Sequence, residues 1–271
     1  MFKTNLAFAS ILATLSVAAC SGPEGQSADG TLTEDAVKAR GASYIHLYPE
    51  RCDKPGTFVA LGEIAAPSQV ALDAYCAEVV LAREAPRGSV VIFGSSRLKD
   101  GTAEYASVRE FAKTWTTDMP QFPILTGGGG GLMEGGNRGA KEAGGKSLGF
   151  STYFRDAKDT LNAYTTGGYM FSDFETRERA MLRYAAAVVI YPGGVGTGWE
   201  FFMTLSNLQT KKMKKIPMIL VGADVQAAIM PYLTYMSTKG TISPDDINLF
   251  KPVATAKEAI TELKLQLPAA P

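Results

Sequence analysis

The sequence predicts an α/β fold of the Rossmann-like, doubly wound kind, a parallel sheet with helices on both faces. Three observations predict it. Beyond Arg87, short apolar runs alternate with helical patterns. The runs are apolar throughout, as strands buried on both faces must be. Three of them end in small-residue turns rich in glycine, the arrangement of folds that bind ligands outside the carboxyl ends of their strands.

The apolar runs are Val90–Phe93, Phe122–Leu125, Leu148–Phe150, Met170–Phe171, Val188–Tyr191, Met218–Val221 and, more weakly, Lys251–Val253. Helical patterns fall at Glu104–Thr116, Gly131–Ala143, Glu175–Ala186, Trp199–Met213, Val225–Thr238 and Thr255–Leu265. The domain so defined covers residues 88–268. Residues 34–87 read as an N-terminal extension packed on it, with short strands at Ser43–Leu47 and Thr57–Leu61 and a helix over Ala66–Glu84.

Composition narrows the chemistry. Lys plus Arg and Asp plus Glu are both 27, so no basic excess favours a nucleic-acid polymer. The 271 residues include one histidine, His46, which excludes a His-rich metal site and leaves little room for a Ser-His-Asp triad. Chemistry must run on carboxylates, Arg, Lys, hydroxyls or backbone amides, with no metal and no cofactor called for.

Residues 1–19 have the form of a secretory signal: Lys3, an apolar stretch from Leu6 to Val17, then small residues. Leu-Ser-Val-Ala-Ala-Cys20 resembles a bacterial lipobox, in which Cys20 becomes the lipidated N-terminus, and residues 20–33 read as a flexible tether. With Ser21 next, the expected location is the periplasmic face of the outer membrane in a Gram-negative host, held by the lipid anchor. The alternatives are an ordinary signal cut near Ala19 or an N-terminal core helix. Cys52 and Cys76 are left as an even pair, either a disulfide or two buried thiols.

The first small-residue turn, Gly94-Ser95-Ser96-Arg97, lets amides and hydroxyls approach a ligand closely. The second, Gly127 to Gly131 followed by Leu132-Met133-Glu134, places bare amides at a helix start, with Gly128 and Gly129 foremost. Glu134 there either faces the crevice or simply complements the helix dipole. The third is Pro192-Gly193-Gly194-Val195-Gly196-Thr197-Gly198-Trp199-Glu200. Locally, Thr197 reads as an N-cap and Thr197-x-x-Glu200 as a capping box, in which Glu200 only returns a hydrogen bond to the cap. Trp199 either stacks on a ligand or packs the helix on the sheet. Lys211-Lys-Met-Lys-Lys215 reads as a solvated helix end whose cations complement the dipole. Asp156, Lys158 and Asp159 fall in a loop near the crevice.

Taken together and in this order, these elements resemble the LOG (LONELY GUY) family over about Val90–Val221, with Pro-Gly-Gly-x-Gly-Thr-x-x-Glu the specific element. The family was long labelled lysine decarboxylases and includes nucleoside 5′-monophosphate phosphoribohydrolases. The resemblance implies a small-molecule nucleotide substrate, N-glycosidic hydrolysis and a homodimer. It implies catalytic roles for Glu200 and for an Arg on the preceding helix, Arg177, or Arg179 if that helix is half a turn out of register. Gly193, Gly194, Gly196 and Thr197 would take the 5′-phosphate, and Glu134 could be a second carboxylate. The alternative reading is a nucleotide or cofactor carrier on the same scaffold without turnover. The chain departs from the family in having Arg177-Glu178 where many members have Arg-Lys, in Gly198 and Trp199, and in the export signal. If Cys20 carries the anchor, Cys20→Ser releases the protein from isolated membranes; retention of the variant there contradicts lipidation.

Overall fold

A computed structural model describes residues 33–35, 67–153 and 160–268. The signal segment 1–19, Cys20, nearly all of the tether, His46, Cys52, the two short strands expected at 43–47 and 57–61, and the loop residues Asp156, Lys158 and Asp159 lie outside the described residues.

Helix α1 (Pro67–Glu84) leads into strand β1 (Ser89–Phe93), and then helix α2 (Ala103–Asp118), β2 (Ile124–Thr126), α3 (Leu132–Glu142), β3 (Ser147–Thr152) and β4 (Gly167–Phe171) follow. After them come α4 (Phe174–Arg183), β5 (Ala185–Ile190), α5 (Val195–Gln209), β6 (Met218–Val221), α6 (Ala223–Thr238), a 3₁₀ turn (Pro244–Leu249), β7 (Lys251–Val253) and α7 (Ala256–Gln266). The seven strands form one sheet in the order β4-β3-β2-β1-β5-β6-β7, every pairing parallel. The Rossmann-like α/β expectation is therefore met. Strand order reverses between β1 and β5, where Val91 lies opposite Val188. A crevice opens at such a switch point because the connections on its two sides leave in opposite directions.

The apolar strands supply two cores, one per face. Val91, Phe93, Leu125, Val188 and Ile190 face α1 and the helices on that side, whereas Val90, Ile92, Ile124 and Val189 face the α2, α3 and α7 side. Burying every residue of the central strands, four of the five in β1 and all six in β5 being apolar, is what makes the runs read as continuous rather than alternating. α1 contributes Leu72, Tyr75, Val79, Val80 and Leu81 to the first core. It is pinned at Asp73, whose carboxylate is buried and accepts from Tyr169 Oη (3.1 Å), Ser172 N (2.7 Å) and Ser172 Oγ (2.6 Å). Cys76 on this helix is buried and disulfide-bonded.

Several element boundaries differ from expectation, and two of them bear on the site. The helix expected to reach Ala186 ends at Arg183, because Ala185 and Ala187 pair with Ser89 and Val90 and extend β5 by three residues. The three alanines lack the bulk that would mark them as strand. The helix expected from Trp199 begins four residues earlier, at Val195.

Candidate active site

The three small-residue turns meet at the carboxyl ends of β1, β2 and β5. Ser95 N donates to Pro192 O (3.0 Å), tying the first turn to the third, and Leu132 N donates to Ser95 O (2.8 Å), tying it to the second. This crossing explains Gly131. Its φ is +65°, and a Cβ there would overlap the carbonyl oxygen of Ser95. Gly127 is needed for a different reason: a Cβ would stand 2.6 Å from Met133 Sδ and 3.5 Å from Arg177 Nη1. The guanidinium thus lies over the second turn, with Met133 beside it.

Arg177 projects from α4, whose N-cap is Asp173 accepting from Thr176 N (2.8 Å). Its Nη2 donates to Glu200 Oε1 at 3.1 Å, and both residues are buried, at 7% and 8% exposure. Arg179 is exposed on the groove between α1 and α4, so the helix register selects Arg177 as the partner of Glu200. The capping-box reading is corrected here. The N-cap of α5 is Gly194, Thr197 is the third helical residue, and Glu200 sits in the second turn, aimed at Arg177 rather than back at the helix start. The shift follows from Gly194, which adopts an extended backbone before the helix without needing a side-chain cap.

A second acid joins them. Glu178 is completely buried, and its Oε1 contacts the same Nη2 of Arg177. Glu178 Oε2 and Arg177 Nε have no hydrogen-bond partner among the described residues. One cation thus faces two carboxylates away from water. Burial pushes the Glu200 carboxyl up to about 7, against the opposing pull of Arg177. Burial likewise lowers Arg177, with Glu200 acting against it. A carboxyl poised near neutrality exchanges a proton with substrate or water at physiological pH.

The other predicted residues fall around this centre. Gly193, Gly194 and Gly196 are exposed on the third turn, Thr197 is buried, and the first amide of α5 to reach a helical carbonyl is that of Gly198, on Gly194 O (2.9 Å). The amides of Val195, Gly196 and Thr197 precede it, the usual orphan donors of a helix start. Ser96 is exposed, and Ser95 Oγ accepts from Arg97 N (3.1 Å), which fixes the first turn. Gly94 packs against Leu132 and Tyr191, and Gly128 and Gly129 line the second turn. Glu134 accepts from Tyr105 Oη on α2 (3.0 Å); among the described residues it makes no hydrogen bond to Arg177 or Glu200, so the structure does not join it to the buried pair. Trp199 is 40% exposed, which removes the core-packing reading.

Three functional residues escape the sequence reading. Phe174 carries the Arg177 guanidinium 5.1 Å above its ring centre. Asn162 clamps the second turn, donating from its backbone to Gly128 O (2.8 Å) and from Nδ2 to Gly129 O (3.0 Å) and Asn137 Oδ1 (2.8 Å). Asn137 in turn accepts from Thr126 Oγ1 (2.6 Å) and donates to Leu148 O (2.9 Å). Asn162, a polar residue in an irregular segment, carries no pattern that announces such a role.

Residues 133–263 match the family model described as Possible lysine decarboxylase. The match takes in Arg177, Glu178 and Glu200 and runs from α3 to α7; the possible-lysine-decarboxylase segment is somewhat under half of the chain. No curated protein matches the sequence. Among solved structures, the molybdenum cofactor binding protein of Rippkaea orientalis is 17% identical, covering 65% of this chain and 96% of its own, with a TM-score of 0.49. The molybdenum cofactor carrier protein of Chlamydomonas reinhardtii is 21% identical over 66% and 97%, with a TM-score of 0.49. DNA processing protein A of Streptococcus pneumoniae is 12% identical over 65% and 61%, with a TM-score of 0.44. At these identities the likeness concerns fold alone.

The raised carboxyl has a measurable consequence. A group that holds its proton more tightly when folded stabilises the fold fully below its unfolded value, near 4.5, and loses that contribution as pH rises through about 7. Glu200→Gln removes the titration. The melting temperature of the variant relative to wild type should therefore climb by several degrees between pH 5 and pH 8. A difference independent of pH contradicts the assignment.

Proposed function

We propose that the protein hydrolyses the N-glycosidic bond of a nucleoside 5′-monophosphate, purine or cytokinin-type, giving free base and ribose 5-phosphate. The observation that carries this reading is the buried Arg177–Glu200 contact beneath three small-residue turns at the switch point of the sheet. The family match over these residues and the resemblance to the LOG family support it.

Breaking the bond places positive charge on the ribose C1′–O4′ unit. Glu200, deprotonated, stabilises that charge and takes a proton from the attacking water, whose oxygen bonds C1′ as the C1′–N bond breaks; the proton passes on to the departing base, which leaves neutral. Its value of about 7 keeps both protonation states populated at neutral pH. Arg177 holds the carboxylate in place through Nη2. The bare amides at the start of α5 take the 5′-phosphate without net basic charge. Exposed Trp199 stands one residue from Glu200 and offers a stacking surface. None of these steps uses a histidine.

The partner that completes this reading is a second copy of the chain. Of the 16 residues of α6 only Leu233 is buried, and Tyr232 and Tyr235 lie exposed in line with Phe202 of α5. This aromatic face suits a homodimer. Membrane anchoring through Cys20 at the periplasmic face of the outer membrane is part of the same proposal.

The test is incubation of the purified protein with a panel of nucleoside monophosphates, free base being measured by chromatography. Release from at least one is expected, and Glu200→Gln should lower turnover by ~10²-fold or more with nucleotide binding retained. Absence of release from every substrate overturns hydrolysis and leaves a carrier that uses the same phosphate-binding turns. An unchanged rate in Glu200→Gln removes Glu200 from the chemistry.

A further inference from the structure

We propose that the cavity beneath the amino ends of β1, β5 and β6 is a second anion site, fitted to a group with two or more negative charges such as a phosphate ester or diphosphate. It lies at the opposite end of the sheet from the small-residue turns, about 20 Å away along a six-residue strand. Its volume is about 460 Å³. Five cations line it: Arg87 before β1, Arg183 at the end of α4, and Lys211, Lys212 and Lys214 after α5. Among the described residues no acidic side chain lines it. Arg183 pairs with Glu78 (3.2 Å), whereas Arg87, Lys211, Lys212 and Lys214 have no ion-pair partner among the described residues.

A helix-end explanation accounts for only part of this cluster. Complementing the dipole would engage the last carbonyls of α5, and three of them are already occupied: Ser206 O accepts from Thr210 N, Leu208 O from Lys211 N, and Asn207 O from the amides of Lys212 and Met213. Arg87 comes from a separate segment altogether. Gathering five like charges around one cavity is unfavourable unless an anion offsets them. A phosphate group neutralises them and accepts from their ammonium and guanidinium groups.

The test is calorimetric titration of the purified protein with inorganic pyrophosphate at constant ionic strength, compared with Lys212→Glu/Lys214→Glu. Saturable binding is expected, weakened about tenfold or more in the double variant, while turnover of nucleotide is unchanged. Should the reversal disturb folding, as read by circular dichroism, Lys212→Gln/Lys214→Gln replaces it and should weaken binding to a smaller extent. Sedimentation with phosphatidylcholine–phosphatidylglycerol vesicles separates the sources. Pyrophosphate binding without vesicle binding assigns a free ligand, and vesicle binding displaced by pyrophosphate assigns a lipid headgroup. No binding up to about 10 mM, or equal binding by wild type and variants, overturns the site.

Discussion

Arg177 and Glu200 meet where neither charge has bulk water to fall back on, and much of the surrounding architecture makes that meeting tolerable. Removing a carboxylate and a guanidinium from water costs several kcal/mol each, a cost their mutual attraction offsets only in good geometry. Here a second acid, Glu178, presses on the same Nη2, so the cluster holds one cation for two carboxyls. Burial pushes the Glu200 carboxyl up to about 7, against the pull of Arg177. A surface pair of the same composition would have no such property, because solvent would screen it.

The fold places the pair by topology rather than by local sequence. Arg177 comes from the helix preceding β5 and Glu200 from the helix following it, so one six-residue strand separates the two elements. Parallel strands send both helices past the switch point, and the turn after β2 closes over the guanidinium at Gly127. The shape of that turn depends on Asn162 and Asn137, which occupy its carbonyls and the Thr126 hydroxyl. At the far end of the sheet, Arg87, Lys211, Lys212 and Lys214 line a cavity without ion-pair partners among the described residues.

Much of this was legible in the residues, for physical reasons. Strands buried on both faces must be apolar throughout, so Val90–Phe93 and Met218–Val221 announce themselves. Ala185–Ala187 did not, since alanine serves helix and strand alike and only pairing with β1 decides. Thr197-x-x-Glu200 has the spacing of a capping box, and that spacing alone does not fix where the helix starts; an extended glycine at position 194 moves the start and leaves Glu200 for Arg177. Glu178 was visible only as a departure from a motif. Its burial, and the role of Asn162, arise from contacts between distant segments that no local pattern encodes.

The central claim is that Glu200 holds a proton that it can give up near neutral pH. Its direct test is a ¹³C NMR titration of the glutamate side-chain carboxyls, with the Glu200 signal identified by its loss in Glu200→Gln. A midpoint near 7 is the predicted result. A midpoint in the ordinary glutamate range, about 4 to 5, would contradict it and return the pair to a structural ion pair.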